Sequence, residues 1–170
     1  MSLLPQKVPF MHYNMCMKTS LHHKIEKSAG GIVFKITPQE VLWLVTQHSH
    51  HKGWGFPKGL IGDLTAGERP EDAAVREVKE EGGIEAKICI PEPVSVSYTY
   101  RFEQILVDKT VYYYLMRYIS GDPKNHDWEV SDAVFLPEAR VLETLTFQTD
   151  KQAFEKMLVL FHKSPELGQI

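Results

Sequence analysis

The chain has 170 residues, of which 43% are hydrophobic and 24% charged, and its formal net charge is -3. This length and composition favour one globular domain with a core of ordinary size, and they argue against intrinsic disorder. The slightly negative charge argues against a broad electrostatic grip on nucleic acid, so no nucleic acid partner is expected.

Cysteine content and apolar runs indicate the compartment. Cys16 and Cys89 form neither a disulfide framework nor a zinc-finger spacing, which favours a reducing environment. The longest apolar runs, such as 41–45 and 157–161, are too short to cross a bilayer. We therefore expect a cytoplasmic protein without a membrane partner. The sequence carries no signal for an oligomeric state.

The N-terminal third combines an irregular segment with a strand pair. Residues 1–25 mix methionines with scattered polar residues and contain no signal-like apolar stretch, which predicts a flexible N-terminal arm. From Ser28, two β-rich segments flank a turn at 37–39 and predict paired strands. Residues 48–67 are rich in glycine and histidine, and a loop of that length is usually functional.

A helix is predicted directly after this loop. Pro70 suits a first helical position, Glu71 and Asp72 suit the positive end of the helix dipole, and Gly82 with Gly83 marks the end. Three β-rich segments and a closing helix follow: 94–102, 111–119, 133–136 and 150–162. The order of elements predicts a single α+β domain over residues 26–165, followed by a short tail at 166–170.

Three carboxylates crowd one face of the predicted helix. Glu77, Glu80 and Glu81 have the spacing of neighbours on a helix surface, and each like-charged pair should cost an isolated helix roughly 0.2–0.5 kcal/mol. A hard divalent cation such as Mg²⁺ would compensate this repulsion, because it takes oxygen ligands and tolerates several carboxylates. A solvated acidic face is the alternative, and it is the commoner arrangement for glutamates.

The wider segment contains a longer motif. It reads Gly62, five residues, Glu68, seven residues, and then Arg-Glu-Val-Lys-Glu-Glu-Gly-Gly-Ile over 76–84. This segment resembles the Nudix box and fills every specified position of it. The resemblance covers about residues 28–162, because it extends to three further segments: 29–33, 54–59 and 109–113.

The resemblance implies a fold, a reaction and a set of site residues. The fold is an α/β/α sandwich around a mixed β-sheet, and the reaction is hydrolysis of a nucleoside diphosphate derivative by water attack on phosphorus with Mg²⁺ or Mn²⁺. By motif position, the metal ligands are Glu77, Glu80 and Glu81. The catalytic set is Glu77 together with Arg76, which orients the cluster, and Glu68, which supports it from the loop.

A backbone carbonyl often joins the metal ligands in this family. The segment between Phe-Pro-Lys-Gly and the downstream Gly-Glu is about three residues longer here than in close relatives. Gly59 is therefore one candidate for this ligand and Gly62 is the other. Glu129 stands where some relatives carry a further metal-binding glutamate, although a solvated turn fits its surroundings equally well.

The substrate is the least determined part of the resemblance. The Phe-Pro-Lys-Gly and Lys-Thr-Val runs are most similar to the diadenosine polyphosphate hydrolase branch, and they predict Lys58 and Lys109 as phosphate-binding residues. Relatives with the same box act on ADP-ribose, capped RNA or diphosphoinositol phosphates. A non-catalytic ligand-sensing or partner-binding module is the alternative from another class. The partner expected in most of these cases is a nucleotide-type small molecule.

The glycine-rich loop contains three histidines that could reach a phosphate or a metal. His48, His50 and His51 do not have the spacing of a common zinc site. We therefore interpret them as incidental members of an exposed loop.

Overall fold

The computed structural model describes residues 22–168. Most of the predicted N-terminal arm and the last two residues of the predicted tail lie outside this range. Residues 22–25, at the end of the segment predicted as an arm, belong to the first strand.

The described residues form eight strands and three α-helices. The strands are β1 (His22–Ile36), β2 (Val41–His48), β3 (Trp54–Gly55), β4 (Lys58–Leu60), β5 (Ile84–Ile88), β6 (Val94–Phe102), β7 (Ile105–Gly121) and β8 (Val130–Pro137). The helices are α1 (Pro70–Gly82), α2 (Glu138–Thr144) and α3 (Gln148–Lys163), with short 3-10 turns at Pro123–Asn125 and Pro165–Gly168. Within residues 22–168, no helix is long and apolar enough to span a membrane.

The strands make one mixed sheet in which β1 and β7 are central. The order is β3-β2-β1-β7-β5, while β4 pairs with β1, β6 with β7 and β8 with β2. Strands β1 and β7 run parallel, and the other pairings are antiparallel. The short strand β4 lies against the middle of β1, where Gly59 is opposite Ala29. This pairing brings the glycine-rich loop next to the helix that follows it.

Two hydrophobic clusters cover the two faces of the sheet. One joins Phe34 and Trp43 to Phe154 and Phe161 of α3, with edge-to-face ring contacts between Trp43 and both α3 rings. The other joins α1 to the opposite face, with Val78 of the helix in the same cluster as strand residues. Helices therefore lie on both sides of the sheet, which confirms the predicted α/β/α sandwich of the α+β class.

The boundaries of α1 follow from its end residues. Pro70 occupies the start of the helix and Glu71 and Asp72 lie in its first turn, as predicted. Gly83 ends the helix with φ 67°, a left-handed conformation that glycine adopts readily, and its N–H donates to the carbonyl of Lys79 at 3.1 Å.

Several elements of the structure were not predicted from the sequence. Strand β1 starts at His22 rather than near Ser28, and its first residues are mostly exposed, so they lack the apolar alternation that marks a half-buried strand. Strand β5 and helix α2 are short, and the loop predicted at 48–67 contains the small strands β3 and β4. Tertiary pairing, rather than local pattern, defines these elements.

Candidate active site

One face of α1 turns its carboxylates inward. Glu77 and Glu81 are each only 8% exposed, although glutamate is rarely buried without a partner. Strand β4 passes so close to this face that a methyl group on Gly59 would overlap the Glu77 carboxylate. Glycine is therefore required at 59 to let the strand backbone approach the helix.

Arg76 is the chain's own counter-charge for this face. Its Nη1 donates to Glu77 Oε1 at 2.6 Å and to Glu80 Oε2 at 3.0 Å, and its Nε donates to Glu68 Oε1 at 2.9 Å. Its Nη2 also donates to the carbonyl of Leu60 at 3.2 Å, which ties the helix to β4. The hydrogen bond to Glu68, together with those to the other carboxylates, raises the pKa of Arg76, so the guanidinium stays charged.

Glu68 anchors Arg76 from the preceding loop. Besides accepting from Arg76, its Oε2 accepts a hydrogen bond from the Gly62 N–H at 2.9 Å. The Arg76 hydrogen bond lowers the pKa of Glu68, which is therefore ionised at neutral pH. The two glycines thus have different surroundings: the N–H of Gly62 is hydrogen-bonded to Glu68, whereas Gly59 lies against the Glu77 carboxylate.

Glu81 lies in the last turn of α1 and contacts strand β4. Its Oε2 accepts a hydrogen bond from the backbone N–H of Lys58 at 2.7 Å. Burial raises the pKa of Glu81 to about 7 even though the Lys58 ammonium and this hydrogen bond act in the opposite direction. Burial also raises the pKa of Glu77. In the absence of a cation, this helix face therefore holds negative charge at a cost.

A cavity of about 550 Å³ opens beside Glu81. Lys58, Lys109, Tyr98 and Tyr100 line it near the carboxylates, so both predicted substrate-binding lysines face one space. Such a volume is in the range of small-molecule sites. The cavity and the carboxylate face together form a candidate active site.

Each cavity lysine has a carboxylate nearby. Lys109 Nζ lies 3.6 Å from Glu26 Oε2, which also accepts a hydrogen bond from the Tyr100 hydroxyl at 3.1 Å. Burial lowers the pKa of Lys109 and Glu26 acts against that change. Burial also opposes the charge of Lys58, but the attraction of Asp150 and then of Glu81 leaves the pKa of Lys58 raised. Sequence reasoning missed Glu26 and Asp150, because isolated acids in a strand and a helix have no motif.

His48 and His51 are among the residues that line the cavity, a position that their spacing in the sequence did not predict. Their rings stack at 4.1 Å, and each Nδ1 accepts a backbone N–H, from His50 at 3.1 Å and Gly53 at 3.0 Å respectively. Burial, followed by nearby positive groups, lowers the pKa of both rings, so they are neutral at pH 7. With Nδ1 accepting, the neutral rings carry their hydrogens on Nε2.

The loop before β8 contacts the end of α1 and the glycine-rich loop through backbone hydrogen bonds. The backbone N–H of Asp127 donates to the carbonyl of Glu80 at 2.9 Å, and the carbonyl of Glu129 accepts from Ser49 at 2.8 Å. Glu129 is close enough for its charge to add to the burial that raises the pKa of Glu77. The structure thus gathers the predicted Glu68, Arg76, Glu77, Glu80, Glu81, Gly59, Lys58 and Lys109 around one region.

The raised pKa of Glu81 predicts a pH-dependent stability in chelator. Because the folded pKa of about 7 exceeds the unfolded value of 4.5, the folded state binds more protons between these values, and stability falls as pH rises through that window. Glu81→Gln should therefore stabilise the protein at pH 8 by up to about 3 kcal/mol, with the gain disappearing near pH 5.

Urea unfolding in EDTA at both pH values measures this difference. Glu92→Gln is the matched control, since Glu92 is exposed and precedes β6. If Glu81→Gln changed the free energy of unfolding equally at both pH values, the pKa of Glu81 would not be raised in the folded protein.

Comparison with known proteins identifies the family. A family model for the NUDIX domain matches residues 26–157. The protein MutT4 of Mycobacterium tuberculosis is 31% identical over 102 residues, which are 60% of this chain and 40% of that relative. The chain therefore spans about two fifths of the length of this relative.

Solved structures show the same fold. A C. elegans Ap4A hydrolase binary complex has a TM-score of 0.64 at 19% identity, covering 81% of this chain and 98% of the other. The NUDIX domain of Shewanella oneidensis NrtR complexed with ADP ribose has a TM-score of 0.61 at 22% identity, covering 80% of this chain and 88% of the other. With the family model spanning most of the sequence, the chain belongs to the NUDIX family.

Proposed function

We propose that this protein is a Mg²⁺-dependent pyrophosphohydrolase that cleaves a nucleoside polyphosphate, with a dinucleoside polyphosphate as the first candidate. The observation that carries the proposal is the assembly of Glu68, Arg76 and the three helix carboxylates beside a cavity lined by Lys58 and Lys109. This arrangement combines groups suited to a divalent cation with groups suited to phosphate.

The carboxylate face fits Mg²⁺ or Mn²⁺ by its donor chemistry. Glu77, Glu80 and Glu81 offer hard oxygen ligands, and burial of two of them favours a cation that offsets their charge. In residues 22–168, no three acidic, histidine or cysteine side chains already stand in a metal-holding arrangement. Arg76 occupies one oxygen each of Glu77 and Glu80, which leaves the second oxygen of each carboxylate for a metal.

Gly59 is the better candidate for the backbone ligand. It lies against the Glu77 carboxylate, whereas the Gly62 N–H is hydrogen-bonded to Glu68, which is not among the proposed metal ligands. We therefore assign the metal ligands to Glu77, Glu80, Glu81 and the Gly59 carbonyl. When bound, the metal supplies neutralisation of phosphate charge and activation of water.

The chain's own residues have separate tasks in the proposed reaction. Glu68 fixes Arg76, and Arg76 orients the carboxylates through its donors. Lys58 and Lys109 hold the phosphates in the cavity as point charges. A water oxygen forms a bond to phosphorus, its proton passes to a carboxylate of the cluster, and the anhydride P–O bond breaks to release a nucleotide.

Similar proteins support a nucleotide-type substrate. One structural neighbour is an Ap4A hydrolase and another NUDIX domain is complexed with ADP ribose. The two cavity lysines favour a longer polyphosphate, because more phosphate charge remains to be neutralised than a metal alone offsets. ADP-ribose, capped RNA and diphosphoinositol phosphates are the alternative substrates.

Ligand sensing without turnover is a second candidate. It is favoured by the similarity to a NUDIX domain complexed with ADP ribose. It is opposed by the complete set of Glu68, Arg76 and the helix carboxylates, because binding alone does not require all of them. Product formation from a panel of these compounds with Mg²⁺ distinguishes the two candidates.

Glu81→Gln should reduce turnover by at least about 10²-fold while the protein stays folded. The substitution removes one ligand charge from the cluster but conserves the shape of the side chain. Steady-state kinetics on the best substrate, with nucleotide affinity measured separately, provides the test. Affinity should fall less than turnover. Turnover within twofold of the wild type would mean that the metal is bound elsewhere.

Lys109→Met should weaken cleavage of diadenosine tetraphosphate far more than cleavage of ADP-ribose. The reason is that the Lys109 ammonium faces the cavity and a longer polyphosphate has more charge to engage. The comparison of kcat/KM for both substrates measures this, with Lys87→Met on the exposed side of β5 as the control. An equal loss on both substrates, or tenfold better use of ADP-ribose or capped RNA by the wild type, would overturn the dinucleoside assignment.

A further inference from the structure

Asp150 is a buried carboxylate outside the Nudix motif. It lies in the first turn of α3 and is 4% exposed. The Tyr113 hydroxyl from the central strand β7 donates to its Oδ1 at 2.8 Å. The position near the start of a helix also favours its negative charge. Burial of a charged group is costly unless it is paired, so this carboxylate calls for an explanation.

The other oxygen of Asp150 faces the neighbourhood of Lys58. A Cβ placed on Gly55 would lie 2.8 Å from Asp150 Oδ2 and 3.8 Å from Lys58 Nζ, so both groups flank the same point on β3. Asp150 and Lys58 also line the same cavity. The absence of a side chain at Gly55 leaves the space between the carboxylate and the ammonium open.

Lys58 is attracted by two carboxylates with different roles. The negative charge of Asp150, followed by that of Glu81, raises the pKa of Lys58 against the effect of burial. The Glu81 carboxylate also accepts a hydrogen bond from the backbone N–H of Lys58 at 2.7 Å. The Lys58 ammonium and the Glu81 carboxylate therefore lie in the same part of the site. A lysine that paired closely with Glu81 would compete with a metal for that carboxylate.

We propose that Asp150 is a positioning residue that draws the Lys58 ammonium away from Glu81 and thereby keeps Glu81 available to the metal. This inference rests on the proposed function, because it assigns Glu81 to metal binding. Asp150 sets the affinity for Mg²⁺ without touching the metal. The Tyr113 hydroxyl donates a hydrogen bond to Asp150, and Lys58 lines the cavity in which the proposed function places the phosphates.

The decisive experiment is a double-mutant cycle on Mg²⁺ binding without substrate. Isothermal titration calorimetry with MgCl₂ is applied to the wild type, Asp150→Asn, Lys58→Met and the double variant. Asp150→Asn should weaken Mg²⁺ binding about fivefold or more in the wild-type background, and less than about twofold when Lys58 is already methionine. Lys58→Met should tighten binding more in the Asp150→Asn background than in the wild type, because only without the Asp150 charge is the ammonium free to compete for Glu81.

The substitutions separate charge from anchoring. Asparagine at 150 still offers an oxygen to the Tyr113 hydroxyl, so it removes the charge and conserves the hydrogen bond. Tyr113→Phe does the reverse, and it should leave Mg²⁺ affinity within about twofold of the wild type while lowering stability in urea. If Asp150→Asn does not fold, Lys58→Met alone still tests the competition, because weaker Mg²⁺ binding in this variant would show that the ammonium does not oppose the metal.

The outcomes distinguish this inference from the proposed function. If Asp150→Asn weakened Mg²⁺ binding equally with and without Lys58, Asp150 would act on the metal directly through its charge. This result would overturn the inference and leave the proposed hydrolase function intact. No tightening by Lys58→Met in the Asp150→Asn background would also overturn it. Absence of Mg²⁺ binding in the wild type would overturn both.

Discussion

The burial of two carboxylates on one face of α1 is the constraint on which the rest of the site depends. Glu77 and Glu81 are each 8% exposed, and their pKa values are raised by that burial. A folded protein tolerates such charge only if other groups offset it. Arg76 provides part of the offset inside the chain, and Glu68 in turn fixes Arg76. The remaining negative charge is what a divalent cation would neutralise under the proposed function.

Strand register explains why two lysine side chains line the cavity. In the parallel pair of β1 and β7, Glu26 stands directly opposite Lys109, and in the antiparallel pair of β6 and β7, Lys109 stands opposite Tyr98. The acid, the lysine and the ring are therefore neighbours across three strands. Strand β4 adds Lys58 from the other side, where it pairs with Gly30 of β1. A slip of either register by one residue would turn these side chains to the opposite face of the sheet.

The sequence predicted the parts of this protein that depend on local chemistry. The ends of α1 follow from Pro70 and Gly83, and the spacing of its glutamates identified the carboxylate face. Local pattern could not predict the early start of β1, because its exposed residues lack alternation and its pairing partner is distant in sequence. For the same reason Glu26 and Asp150 had no signal, since their significance comes only from the lysines that the fold brings beside them. The position of His48 and His51 at the cavity could not be predicted, because loop composition does not show which side chains line a cavity.

The central claim is that the carboxylate face destabilises the metal-free protein and is stabilised by a divalent cation. The most direct test is the unfolding free energy of the wild type and of Glu80→Gln/Glu81→Gln at pH 8, first in EDTA and then in saturating Mg²⁺. The account predicts a change of sign: the double variant is the more stable protein in EDTA, and the wild type is the more stable protein in Mg²⁺. A difference of the same sign and size under both conditions would contradict it.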